Sequence, residues 1–164
     1  MLFPKGQPVH ENLNTSFTQF DAMLNDLRSN LFTGYIRVTS WEYEGILIFD
    51  TGRVLHAIDE STGVRRSGSF AAETVATKAR EKDGTISVYR LPEESVQVLS
   101  GLYSGEPVYK DLSSDFTSLD KLVEKLRGER HSGYIEIRTT QTKDSATIFW
   151  RDGQIIDSIF SGNG

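Results

Sequence analysis

The sequence predicts an α+β fold with two tandem repeats of an antiparallel meander of three to four strands and packed helices. The first observation is an internal repeat: between Gly6 and Ser40, 12 of 35 positions are identical, without a gap, to residues about 99 positions later. The second is that apolar residues at helical spacing are followed, in both copies, by short runs of alternating apolar and polar residues. A repeat of fixed period indicates a duplicated structural unit, so the shared residues are predicted to be scaffold.

The two copies predict two domains of unequal content. The first spans residues 6–104 and is expected to contain a helix, a meander, a second helix, a strand and a third helix. The second spans residues 105–164 and has no equivalent of residues 62–104. A meander without its fourth strand and covering helices leaves an edge and a face open. We expect packing on the first copy or on another subunit to complete it, with a longer natural chain as an equal alternative.

Each copy begins with a predicted helix. Thr18 and Asp21 have the spacing of an N-cap and an acidic third residue, and Thr117 and Asp120 repeat it. The apolar positions that follow recur at helical spacing in both copies. They are Phe20, Met23, Leu24, Leu27 and Leu31 in the first copy, and Leu119, Leu122, Val123 and Leu126 in the second.

The meanders follow two breakers, Gly34 and Gly133. Alternating or apolar runs predict strands over residues 35–39, 45–49 and 53–58, and over residues 134–138, 146–150 and 154–159. Gly52 and Gly153 stand in the tight turns between the second and third strands, where a residue with positive φ is favoured.

The remainder of the first copy predicts two helices around a strand. Ser69 is expected to cap a helix over residues 70–82, and residues 85–90 alternate as a fourth strand. Pro92 suits the first turn of a last helix, whose apolar stripe is Val96, Leu99, Leu102 and Tyr103.

Composition excludes several classes of function. The chain has no cysteine, which excludes disulfides, thiolate metal sites and thiol nucleophiles. Its formal net charge of −5 argues against nucleic acid as a partner, because phosphate binding needs a clustered basic face. The beginning of the chain lacks the apolar stretch of a secretory signal, and no run is long enough to span a membrane. We therefore expect a cytoplasmic protein.

The sequence predicts no catalytic residue, no metal site and no cofactor. The three histidines, His10, His56 and His131, align with Tyr109, Asp157 and Phe32 in the other copy, and none has metal-ligand spacing. No serine stands in a nucleophile elbow. The paired carboxylates lie in turns, at edges or at a helix start, where acidic residues are common because they favour solubility and interact with the helix dipole.

The segment from Gly63 to Ser69 is predicted to be a loop and is the first candidate binding site. Arg65 and Arg66 precede a helix N-terminus near Ser69, where free N–H groups and the helix dipole favour an anion. A phosphate, a nucleotide or an acidic partner would suit these residues. A solvated loop whose arginines balance an acidic surface is the more favoured alternative.

Two aromatic residues form the second candidate site. Trp41 and Tyr43 are predicted to lie in a connection between strands, and exposed aromatic residues are enriched in interfaces. Packing back over the local core is the favoured alternative for both.

One stretch resembles a known family. The helix, the Gly-Tyr-Ile strand and the segment Phe49-Asp50-Thr51-Gly52-Arg53-Val54-Leu55-His56-Ala57 are similar to the bacterial DUF4388 or PATAN-type domain. The resemblance covers about 90 residues of the first copy and about 60 of the second, which departs from it at Asp157 and Ser158. It implies a non-catalytic regulatory or interaction module of a bacterial signalling system, often beside response regulators.

The sequence thus favours a protein-interaction module without enzymatic activity. Its expected partner is another protein, such as a response regulator or a second copy of the chain, docked on loops and unpaired strand edges. The alternative is a sensor that binds an anionic metabolite or nucleotide at Arg65 and Arg66.

Overall fold

The computed structural model describes residues 3–105, 108–140, 142 and 144–162. The chain divides into two compact units. Residues 5–104 form the first unit, and the described residues from 105 onward form the second together with Phe3 and Pro4. Both units combine helices with antiparallel strands, so the predicted α+β class is confirmed.

The first unit contains a six-stranded antiparallel sheet and three helices. Its order along the chain is β1 (Gln7–Asn14), α1 (Phe20–Ser29), β2 (Gly34–Ser40), β3 (Tyr43–Asp50), β4 (Arg53–Ser61), β5 (Val64–Ser67), α2 (Ser69–Arg80), β6 (Thr85–Arg90) and α3 (Glu93–Tyr103). The strands lie in the order β1-β6-β2-β3-β4-β5. Consecutive strands β2, β3 and β4 form the predicted meander, and the predicted strand over residues 85–90 is β6.

Helices cover both faces of this sheet. Side chains alternate along a strand, so residues that are opposite each other in the register share a face. The face under α1 and α2 carries Ile36, Val38, Leu47, Phe49, Ala57, Ile86 and Val88, which form one buried cluster with both helices. The other face carries Ile46, Ile48 and Ile58, and there Gln97 of α3 donates a hydrogen bond of 2.8 Å to Asp50.

The second unit contains one helix and a three-stranded sheet. The elements are α4 (Leu119–Gly128), β7 (Gly133–Arg138), β8 (Ser145–Arg151) and β9 (Gln154–Ser161), and the strands pair in chain order. They correspond to α1, β2, β3 and β4 of the first unit. Within the described part of the chain, no helix has the length and apolar character needed to cross a membrane.

The hairpin between the second and third strands is the same in both units. Gly52 and Gly153 both have φ of +78°, and the residues before them, Thr51 and Asp152, also have positive φ. This is the conformation of a tight turn that matches strand twist, as predicted. A Cβ at Gly52 would lie 2.6 Å from the Arg28 carbonyl oxygen, and one at Gly153 would lie 2.6 Å from that of Arg127. The first helix of each unit therefore ends against its own hairpin.

The predicted helix caps were wrong by one residue or more. Helix α1 begins at Phe20 after Gln19, which makes no capping bond, and the Thr18 hydroxyl donates instead to the Asn14 carbonyl at 2.8 Å. In the second unit the cap is Ser118, not Thr117, and its hydroxyl accepts from the Lys121 amide. Helix α2 begins at Ser69 itself after Gly68, whose φ of +82° makes the turn, so Ser69 does not cap it. The expected pattern was present, but neighbouring polar groups competed for it.

Candidate functional site

The predicted loop with the two arginines is in fact a strand. Residues 64–67 form β5, which pairs with the end of β4 so that Arg66 lies opposite Asp59 and Arg65 opposite Glu60. Its four residues, Val-Arg-Arg-Ser, show no alternation of apolar and polar side chains, so the sequence pattern did not predict this strand. The hairpin puts each arginine beside a carboxylate on its neighbouring strand, an arrangement that stabilises cross-strand pairs.

The Arg66 guanidinium holds a buried carboxylate. Arg66 Nε donates to Asp59 Oδ1 at 3.0 Å and Arg66 Nη2 donates to Asp59 Oδ2, which makes a two-pronged ion pair. The Asp59 side chain is fully buried, and the hydrogen bonds to it raise the pKa of Arg66 further above its usual range. The guanidinium also lies 5.1 Å from the centre of the Phe70 ring. Arg66 therefore neutralises an internal charge of the fold.

Arg65 is engaged in the same way on the other face of the hairpin. Its Nη2 lies 2.7 Å from Glu60 Oε2, and both side chains are mostly buried. An anion at the predicted site would have to compete with Asp59 and Glu60, and Ser69 lies within the first turn of α2. The geometry gives this anion site no support beyond the sequence pattern.

The structure separates the two candidate aromatic residues. Trp41 stands in the turn between β2 and β3 and is 89% exposed, so it does not pack back over the core, which was the favoured alternative. Tyr43 is not in a connection: it is the first residue of β3 and is buried at 6% exposure. Burial, and secondarily the negative charge of Asp59, raises the pKa of Tyr43. Tyr43 therefore belongs to the core beside the Asp59–Arg66 pair, and Trp41 does not join it.

A shallow groove of about 500 Å³ lies beside Trp41. Asn14, Thr39, Lys82 and Thr85 line it as well. Ligand pockets usually bury most of their ligand's surface, and this groove is wide open to solvent. Within the described residues, no group of three or more His, Asp or Glu side chains is placed to hold a metal ion.

The most distinctive surface is one that the candidate residues did not include. By the register of β7, β8 and β9, the sheet face of the second unit that corresponds to the α1/α2 face carries the polar Ser158 together with Ile135, Ile137, Ala146, Ile148 and Phe160. We call these residues, with Leu119 of α4, the open face. Ile135, Ile137 and Ile148 are half-buried, Leu119 is 44% exposed and Phe160 is 72% exposed. Helix α4 has no buried residue among its ten.

The open face lies beside α4 because α4 takes the place of α1. In the second unit the Gly153 amide donates a hydrogen bond of 2.9 Å to the carbonyl of His131, which follows α4. In the first unit the Gly52 amide donates one of 2.8 Å to the carbonyl of Phe32, which follows α1. The amide of His131 in turn donates to Leu126 at 3.0 Å, as that of Phe32 donates to Leu27 at 2.9 Å. Helix α2 covers the rest of this face in the first unit. Within the described residues of the second unit, no helix follows β9.

Sequence reasoning missed Phe160 although a signal was present. Aligning the third strands of the two copies puts Phe160 opposite Asp59, which is an exchange of a carboxylate for a large apolar side chain. The sequence alone does not show that this exchange matters, because the burial of Asp59 and its ion pair with Arg66 become visible only in the structure.

Comparison with known proteins identifies one family. The family model described as "Uncharacterized protein conserved in archaea (DUF2226)" matches residues 1–103. No curated protein and no solved structure matches the chain. The match contradicts the resemblance to the bacterial DUF4388 or PATAN-type domain, which was wrong. The residues that carried that resemblance are the strands and the hairpin glycine of a meander, which unrelated folds with the same turn geometry require as well.

Proposed function

The chain belongs to the DUF2226 family conserved in archaea, and from that premise we propose that it is a non-catalytic protein-interaction module. In this proposal the first unit is a scaffold with helices on both faces of its sheet, and the second unit presents the open face to another protein. The setting we propose is the cytoplasm. The observation that carries the proposal is Phe160, which is 72% exposed on the edge strand β9, on the same sheet face as Ile137 and Ala146.

The physical argument rests on the cost of exposing that face. Burying one large apolar side chain contributes about 1.5–3 kcal/mol, so a partner that covers Phe160, Leu119 and the half-buried isoleucines gains several such contributions. Contiguous exposed apolar surface of this kind is typical of interaction sites. Arg65 and Arg66 form ion pairs with Glu60 and Asp59, which supports a structural role for these residues rather than a catalytic one.

Affinity capture from an archaeal cell extract tests this function. The immobilised wild-type protein is expected to retain a specific protein in fixed stoichiometry, and the Phe160→Glu variant is expected to lose it. The matched control is Phe17→Glu, because Phe17 is a phenylalanine of the first unit that is 89% exposed. The control should retain the same protein as wild type.

Two outcomes would contradict the proposal. Equal loss from both variants would mean that general apolar adhesion, rather than the open face, causes retention. Turnover of a substrate by the purified protein that survives Phe160→Glu would replace the interaction module with an enzyme.

A further inference from the structure

The first unit itself shows which element fits on the open face. There, α2 buries Ala71, Val75 and Ala79 completely against the sheet. Val75 lies over Gly45 of β3, where an added Cβ would stand 2.5 Å from Val75 Cγ2. The helix can approach this closely because small residues face each other on the helix and on the strand.

An ion pair fixes the other side of α2 against α1. Arg80, the last residue of α2, lies 2.6 Å from Asp21 in the first turn of α1, and its guanidinium is 5.8 Å from the Phe20 ring. Phe20 itself is 2% exposed and belongs to the core cluster under both helices. Helix α2 therefore combines a stripe of small residues with a basic residue that meets the start of its neighbouring helix.

The second unit keeps half of this arrangement, and none of its described residues forms a helix equivalent to α2. Asp120 stands at the position of Asp21, and Leu119 stands at that of Phe20 but is 44% exposed. Ala146 takes the place of Gly45 and Phe160 that of Asp59. The site is thus similar to the α2 site, with three differences. Its floor has one more methyl group, an apolar side chain stands where the first unit buries a carboxylate, and the exposed Ser158 stands where the first unit buries Ala57.

We propose that the open face binds one amphipathic helix of the partner protein, in the place that α2 occupies in the first unit. This inference rests on the proposed function and specifies the partner's chemistry. The helix carries small residues at i, i+4 and i+8, with Ala or Gly rather than Val over Ala146, because the methyl group of Ala146 uses the space that Gly45 leaves for Val75. A basic residue follows directly after the last small one and faces Asp120, and apolar side chains cover Phe160 and Leu119.

A tethered helix tests the geometry without the unidentified partner. The probe is the sequence of residues 68–82 with Val75→Ala, joined to the full chain after Gly164 by a flexible Gly/Ser linker that gives a high effective concentration. The Trp41→Phe background leaves Trp150 as the only tryptophan, and Trp150 lies in the second unit at 2% exposure. Its fluorescence therefore reports the unfolding of that unit in urea.

The comparison is made with a matched tether in which Ala71 and Ala79 of the probe are replaced by Glu, which breaks the stripe but keeps the length. We expect the intact tether to raise the folding equilibrium constant of the second unit at least about tenfold over this control. Phe160→Glu in the host should abolish the gain. Restoring Val75 in the probe should reduce it several-fold, since overpacking by two methyl groups is unfavourable.

A charge exchange tests the orientation of the helix. Asp120→Arg in the host should lower the gain about two- to fivefold, as expected for an exposed ion pair, and Arg80→Glu in the probe should restore it.

The proposal is overturned if both tethers stabilise the unit equally, if neither does, or if the gain depends on protein concentration, which would make a second copy the occupant. None of these results would contradict the proposed function. A partner protein whose capture is lost in the Phe160→Glu variant can bind the open face as a strand instead of a helix. Conversely, a stabilising tether without a captured protein would contradict the proposed function and not the helix chemistry.

Discussion

The same strand face is buried to different extents in the two units. Ile36, Val38 and Leu47 are buried at 0–3% exposure under α1 and α2, whereas their equivalents Ile135, Ile137 and Ile148 are half-buried beside α4 alone. The hairpins, the helix ends and the strand registers are otherwise alike. The duplication has therefore kept the elements that make the sheet, and the units differ in what covers it. The first unit covers this face with α2, and we propose that a partner covers it in the second unit.

The third strands show the same difference in chemical terms. Asp59 is buried in the first unit because β5 brings Arg66 next to it. The second unit has no described strand beside the free edge of β9, and Phe160 replaces the carboxylate. A buried charge is stabilised only where a partner is supplied, and Phe160 needs no charged partner at this position.

Replacing the glycines that begin β2 and β7 should give the largest difference in unfolding free energy between the two units. Gly34 has φ of +151°, and a Cβ there would stand 2.1 Å from the Tyr89 carbonyl oxygen of β6, whereas nothing lies within 4 Å of a Cβ at Gly133. Gly34→Ala should cost about 3–5 kcal/mol of unfolding free energy, and Gly133→Ala less than about 0.5 kcal/mol. Urea unfolding followed by circular dichroism measures both. Similar losses at the two glycines would mean that the neighbour of β2 is not the cause.

The second comparison replaces the same isoleucine in both units. Ile36→Ala should cost about 3–4 kcal/mol, because it opens a cavity in a fully covered core. Ile135→Ala should cost about 1–2 kcal/mol, because the half-buried side chain loses less burial and leaves no closed cavity. The loss at Ile135 should grow when the intact helix is tethered. Equal costs in the untethered protein would show that the face of the second unit is already covered.

Much of the fold was predictable because the repeat made each signal visible twice. The stripe that contains Leu27 and Leu126, and the turns at Gly52 and Gly153, recur with the same local chemistry. Local periodicity and turn residues were enough to predict these elements. Strand β5 and the caps could not be predicted, since four residues carry little periodicity and several hydroxyls near each helix start compete for one role.

The candidate site was much less predictable, because pairing and exposure depend on the assembled sheet. Arg65 and Arg66 resemble an anion site in the sequence, and only the register of β4 with β5 shows that Glu60 and Asp59 face them. Phe160 resembles an ordinary strand residue, and only the absence of a helix from the described part of its face makes it a docking candidate. Neither the sequence patterns nor the structure identifies the family, which is assigned by the match to the family model.

The smallest expected effect concerns His56, whose counterpart in the second unit is Asp157. Helix α3 packs near the face that carries His56, and burial lowers the pKa of this histidine below its usual 6.5, partly offset by a hydrogen bond to the backbone of Tyr103. The unfolded chain then binds a proton that the folded chain does not, so the unfolding free energy should be full above pH 6.5 and fall as the pH decreases below it. His56→Gln should flatten this dependence in urea titrations between pH 7 and pH 5. A pH dependence unchanged in His56→Gln would show that α3 does not cover this position as tightly as the first unit requires. In that case the contrast between a fully covered first unit and an open second unit would hold for only one face of the sheet.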